Sequence, residues 1–160
     1  MLAPLKQFIC DKCNNLIESP ADGYVEWEQI ILKGNPARLE NLGFKIIHNS
    51  LSSPLENCFF YSHSTNGQSS SLIEFLNENQ MPRLLSFLDA GPHHVPHYLG
   101  PEIQNMREFV EFARRLTLPY YEEARTFFHD AETDGYFEGA NEIWIYQSEI
   151  LKNLIDKYSS

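Results

Sequence analysis

The chain has 160 residues, 42% of them apolar and 13% aromatic, which is enough to build a hydrophobic core and excludes general disorder. Its formal net charge of −10 is uneven, because residues 1–70 carry five Lys/Arg against seven Asp/Glu whereas residues 71–160 carry seven against fifteen. An acidic half of that kind argues against nucleic acid and anionic lipid as ligands and suits self-association or a basic protein partner. No run of eighteen apolar residues exists and Met1–Lys6 has no hydrophobic leader core, so neither a membrane span nor secretion is expected and the compartment reads as cytoplasmic. Three cysteines, two of them in a CxxC, then favour metal or redox use over a disulfide framework.

In chain order, Cys10-Asp11-Lys12-Cys13 comes first, a spacing that lets one tight turn aim two sulfurs at a single ion. Pro20-Ala21-Asp22-Gly23 is a turn signal, and Tyr24–Ile30 partly alternates as a half-buried strand, with Val25 and Trp27 inward and Glu26 and Glu28 in water. Lys33-Gly34-Asn35-Pro36 breaks the pattern and Gly43–His48 restarts it as a second strand ending on His48. After the loop 49–54, Cys58–Tyr61 reads as a third short strand.

A structural zinc takes four soft or borderline ligands in a tetrahedron, so the CxxC needs two more. The remaining cysteine is Cys58, and the best-placed histidine is His48, giving Cys10-x2-Cys13-x34-His48-x9-Cys58, a Cys3His pattern at strand ends and turns; His63 is the alternative fourth ligand. Two other readings stand beside it: ordinary buried thiols, or a redox CxxC, which needs a following helix that Pro20 and Gly23 arrive too soon to allow. At these residues, over positions 8–61 only, the chain resembles zinc-ribbon and rubredoxin-like knuckles. The resemblance implies a small antiparallel β unit held by a structural zinc ion.

Ser62–Ser71 is small, polar and flexible in composition and reads as a linker or long surface loop. Beyond it the apolar period lengthens to that of helices. A capping box of Ser71 and Glu74 leads into Leu72–Leu76, and a second short helix starts near Pro82 and ends at Gly91-Pro92. Residues 91–101 hold three prolines and two glycines and are not a helix. Three longer apolar stripes follow, over about 103–116, 120–131 and 141–158. The expected fold is therefore α+β: a zinc-ribbon-like antiparallel β subdomain over 1–61, a linker over 62–71, and an acidic helical bundle over 72–160.

Three lesser motifs carry chemistry of their own. His93, His94 and His97 form an HHxxH cluster that could hold a catalytic ion. Asp130–Glu138 opens like an EF-hand loop but has Asn141 at the twelfth position, where calcium needs a bidentate Glu, and a glycine C-cap explains the same letters. Glu122 and Glu123 are neighbours on a helix and diverge, so they read as first-turn acids favoured by the helix dipole. Function is then a contest between a zinc-binding interaction or regulatory module and a metal-dependent hydrolase built on residues 93–97. A nucleic-acid-binding ribbon would require Lys6, Lys12, Lys33, Arg38 and Lys45 to share one face.

Overall fold

A computed structural model describes residues 1–34, 38–89 and 102–159. The fold is α+β. Two short strands, β1 (Phe8–Ile9) and β2 (Leu16–Ile17), form an antiparallel hairpin with the CxxC at its turn. Three strands, β3 (Gly23–Leu32), β4 (Arg38–His48) and β5 (Gly67–Ser71), form an antiparallel sheet in the order β4-β3-β5. The third strand is therefore not Cys58–Tyr61 but the second half of the polar stretch read as linker, which lies along β3 from Tyr24↔Ser71 to Glu28↔Gly67. Its Gly, Gln and Ser residues carry no apolar alternation, and backbone pairing on a finished neighbour makes the strand.

Between the pairs Glu26↔Lys45 and Glu28↔Leu42, Trp27 faces two residues of β4, a bulge with Gly43 at φ 70°. A glycine in that left-handed conformation is what such a bulge requires, and it lets β4 run on through a position that reads in sequence as a strand start. The Tyr61 hydroxyl donates to the Gly43 carbonyl at 2.8 Å, and a Cβ on Gly43 would meet that hydroxyl at 2.1 Å.

Among the described residues the helices are α1 (Gln80–Leu88), α2 (Met106–Thr117), α3 (Tyr121–Ala124), α4 (Phe128–Thr133), α5 (Glu142–Ile145) and α6 (Ser148–Tyr158), with 3-10 turns at Pro20–Asp22, Leu72–Phe75 and Arg125–Phe127. The stripe over 120–131 is thus broken into α3, a 3-10 turn and α4, and that over 141–158 into α5 and α6. Tyr120, just after Pro119, takes a left-handed φ of 70° and turns the chain from α2 into α3. The expected capping box is absent: Ser71 caps nothing, and Glu74 pairs with Ser70 and Arg83 instead. Asn105 and Asn141 do cap, their side chains accepting from the amides of Glu108 and Trp144. Gly135 at φ 71° closes α4.

Two cores result. The first joins Phe8, Val25, Trp27, Phe44, Ile46 and Ile47 of the β half to Leu72, Phe75, Phe87, Phe109, Phe112 and Leu116. Phe44 stands at its centre, stacked on Phe112 at 4.8 Å and edge-on to Phe87 at 5.1 Å and Phe109 at 5.6 Å. The buried Asn41 at its edge accepts from the Trp27 indole at 3.0 Å and donates to the carbonyl of Glu102 at 3.2 Å, so its polar atoms are satisfied. The second core gathers Tyr121, Ala124, Ala131, Leu151, Leu154 and Ile155.

Candidate metal centre

The hairpin positions the first two sulfurs. The Cys10 amide donates to the carbonyl of Asn15 at 2.9 Å and the Asn14 amide to that of Cys10 at 2.9 Å, closing the turn. Asn14 takes the left-handed conformation this closure needs, with φ 59°, which asparagine tolerates better than most residues. His48 arrives as the last residue of β4, opposite Gly23. Cys58 comes from a segment with no regular structure that is tied down by side chains. Asn49 accepts from the amides of Leu51 and Ser52, the Ser52 hydroxyl donates to the carbonyl of Asp22 at 2.8 Å, and the Phe60 amide donates to Glu26 at 2.8 Å.

Cys10, Cys13, His48 and Cys58 each offer one ligand atom, and these atoms all lie within 4.8 Å of one another. His48 Nδ1 is 3.4 Å from Cys13 Sγ and 3.9 Å from Cys58 Sγ. With metal–sulfur bonds near 2.3 Å, a tetrahedral ion spaces its ligand atoms by about 3.5–3.8 Å, so the four residues could hold one metal ion with small movements. His48 Nε2 lies 3.1 Å from the carbonyl of Leu16. That contact requires the proton on Nε2 and leaves the Nδ1 lone pair facing the three sulfurs, the arrangement that orients metal-binding histidines. Ser53 Oγ lies 3.1 Å from Cys58 Sγ.

Electrostatics within the group are asymmetric. Burial works against charge on the Cys10 sulfur, but the amides of Cys13, Lys12 and His48 point at it and bring that thiol down to about 7. Cys13 is pushed up to about 11, first by burial and then by the neighbouring thiols of Cys10 and Cys58. The Cys10 sulfur is thus the more readily charged of the two, and a cation would displace the proton of Cys13, so binding would release protons.

His63 is exposed and stands outside the group. His93, His94 and His97, on which the hydrolase reading depends, lie outside the described residues. In the EF-hand-like stretch Asp134 accepts from the Tyr158 hydroxyl at 3.1 Å and Gly135 serves as the helix stop.

Sequence reasoning missed the charged cluster beneath the turn. Arg115 is buried, and its Nε and Nη2 donate to the two oxygens of Glu122 at 2.7 and 2.9 Å. Glu122 does lie in the first turn of α3, but it is buried, and Arg125 adds a second cation at 3.1 Å. Burial alone would raise its carboxyl, but Arg115 and then Arg125 hold it below the usual value. Pro119 and the left-handed Tyr120 fold α3 back so that residues seven apart in sequence meet, a geometry with no signature in periodicity.

Set against known proteins, the chain finds no match: no family model, no curated protein and no solved structure matches it.

Proposed function

We propose that Cys10, Cys13, His48 and Cys58 hold one structural zinc ion, and that the chain works as a zinc-stabilised protein-interaction or regulatory module of the cytoplasm. The observation that carries the metal reading is the convergence of three sulfurs on the one imidazole nitrogen that the Leu16 carbonyl leaves free. Three thiolates and an imidazole are a donor set that zinc takes in closed sites, and soft sulfur disfavours magnesium and calcium. Four protein ligands complete a tetrahedron without a water, so the ion's work is to hold the turn and the loop that carries Cys58. The hairpin with both cysteines at its turn supports the likeness to a zinc knuckle.

Contact with another protein is supported by the acid excess of residues 71–160 and by Ile143, which is 81% exposed in α5 beside Glu142. An exposed apolar side chain beside an acid suits a partner that is basic at the rim of its contact. The aromatic side chains in this half contribute less surface than their number suggests. Tyr121 is buried, and Tyr120, Phe127, Phe128 and Tyr146 are half-buried against the second core.

Elemental analysis of the purified full chain tests the metal reading. One zinc per chain is expected, falling to a small fraction of that in Cys13→Ser and in His48→Ala. A parent protein free of zinc, and unable to take it up from solution, would remove the basis of the proposal.

A further inference from the structure

Arg115 belongs to α2, yet most of its hydrogen bonds go to the metal-binding turn and to α3. Its Nη1 donates to both oxygens of Asp11 at 2.9 and 2.8 Å, and its Nη2 donates to the carbonyl of Ile9 at 3.1 Å. Asp11 sits between Cys10 and Cys13. Its carboxylate also accepts from the amide of Ile46 at 2.7 Å, while its own amide donates to the carbonyl of Ile46 at 2.8 Å. Ile46 is two residues before His48 on β4. One aspartate thus locks the CxxC turn to the strand that delivers the histidine, and one arginine holds that aspartate. Glu122 completes the circuit by accepting from the amide of Ile9 at 2.9 Å while it pairs with the same guanidinium.

We propose that Arg115 is the positioning residue of the metal centre, holding Asp11 and Ile9 so that metal binding by the Cys10–Cys13 turn and docking of α2 and α3 on the β half are one coupled event. The inference rests on the metal reading above. Its physical basis is that a buried guanidinium needs both its carboxylates, so the turn cannot loosen without leaving charge unpaired under the helices. Coupling of this kind is reciprocal: metal that orders the turn favours the docked helices, and docked helices tighten the metal.

The test uses the full chain with Co²⁺ as the probe, since its absorption reports a tetrahedral sulfur-rich ligand set and its affinity is read by competition with a chromophoric chelator. Arg115→Lys keeps the charge and loses the planar fork, and Asp11→Asn keeps the shape and loses the charge. Each is expected to weaken Co²⁺ binding about tenfold or more, as partners of metal ligands commonly do, with the spectrum at saturation unchanged. The double variant is expected to bind no worse than the weaker single one, because both changes remove the same contact. Hydrogen exchange of the parent should show that stripping the metal speeds amides in residues 106–124 as well as 8–18. Variant affinities within about twofold of the parent, or exchange changes confined to 8–18 and 46–58, would overturn the coupling while leaving the metal site standing. A parent that binds no Co²⁺ overturns the metal reading and this inference with it. If Arg115→Lys fails to fold, Asp11→Asn and the exchange measurement on the parent still decide.

Discussion

Glu26 shows how one residue departs from its strand pattern. Alternation along β3 places it on the solvent side, yet it is buried, because residues 58–61 fold across that face and the Phe60 amide donates to its carboxylate. Burial raises the carboxyl above its usual value, against the pull of the Phe60 and Tyr61 amides and of Lys12. A carboxyl whose pKa is raised by folding contributes stability that is complete below the unfolded value and is lost as pH rises through the folded one. Glu26→Gln keeps an acceptor for the Phe60 amide and cannot ionise. It should therefore gain on the parent as pH rises from the ordinary glutamate value of 4.5 through the raised one, with the difference level above that. Urea midpoints of both proteins from about pH 4 to pH 8 read this directly. A difference that does not change with pH means that Glu26 does not titrate in this window.

Among the elements, β4 depends most on a single local geometry. Its bulge at Gly43 brings Phe44 into the first core opposite Trp27 and leaves the rest of the strand in register to deliver His48. Gly43→Ala would place a Cβ in the left-handed region and against the Tyr61 hydroxyl. The expected cost is about 2 kcal/mol from backbone strain, with a further loss from displacement of Tyr61. The two parts separate in the Tyr61→Phe background, where the hydroxyl is gone and Gly43→Ala should cost less than in the parent. Equal costs in the two backgrounds, measured by denaturant unfolding, would show that Tyr61 moves aside freely.

At the scale of the whole molecule, composition suggests a β part that would melt by itself on removal of a bound metal, but the packing ties the two halves. Trp27 lies edge-on to Phe75 at 6.2 Å and to Phe87 at 5.4 Å, so the indole that would report on the β sheet is packed against residues of the helical half. Chelation of a zinc-loaded sample should therefore lower the unfolding midpoint seen in near-ultraviolet dichroism and the midpoint seen in helix ellipticity by the same amount. With free zinc at about a thousand times its dissociation constant the loss is roughly 4 kcal/mol. If the aromatic signal collapses on chelation while the helical transition stays in place, the halves unfold separately.

The sequence by itself determined the residue types that can meet around an ion and the presence of amphipathic helices, though not the whole face that each one buries. Thiols and imidazoles are few and chemically distinctive, so Cys10, Cys13, His48 and Cys58 can be picked out before any fold is known, and apolar stripes at helical spacing mark segments such as Met106–Thr117 wherever they pack. Only the tertiary structure decided the rest. Strand β5 is a run of glycine, glutamine and serines that acquires its conformation from β3, and Cys58 is presented by side-chain hydrogen bonds rather than by a strand. The circuit of Arg115, Asp11 and Glu122 needs a left-handed turn at Tyr120 and a hairpin more than a hundred residues earlier in the chain. The physical reason is that solvated and buried charges are written with the same letters, and which of the two a given Glu or Arg becomes depends on neighbours brought in from far along the chain.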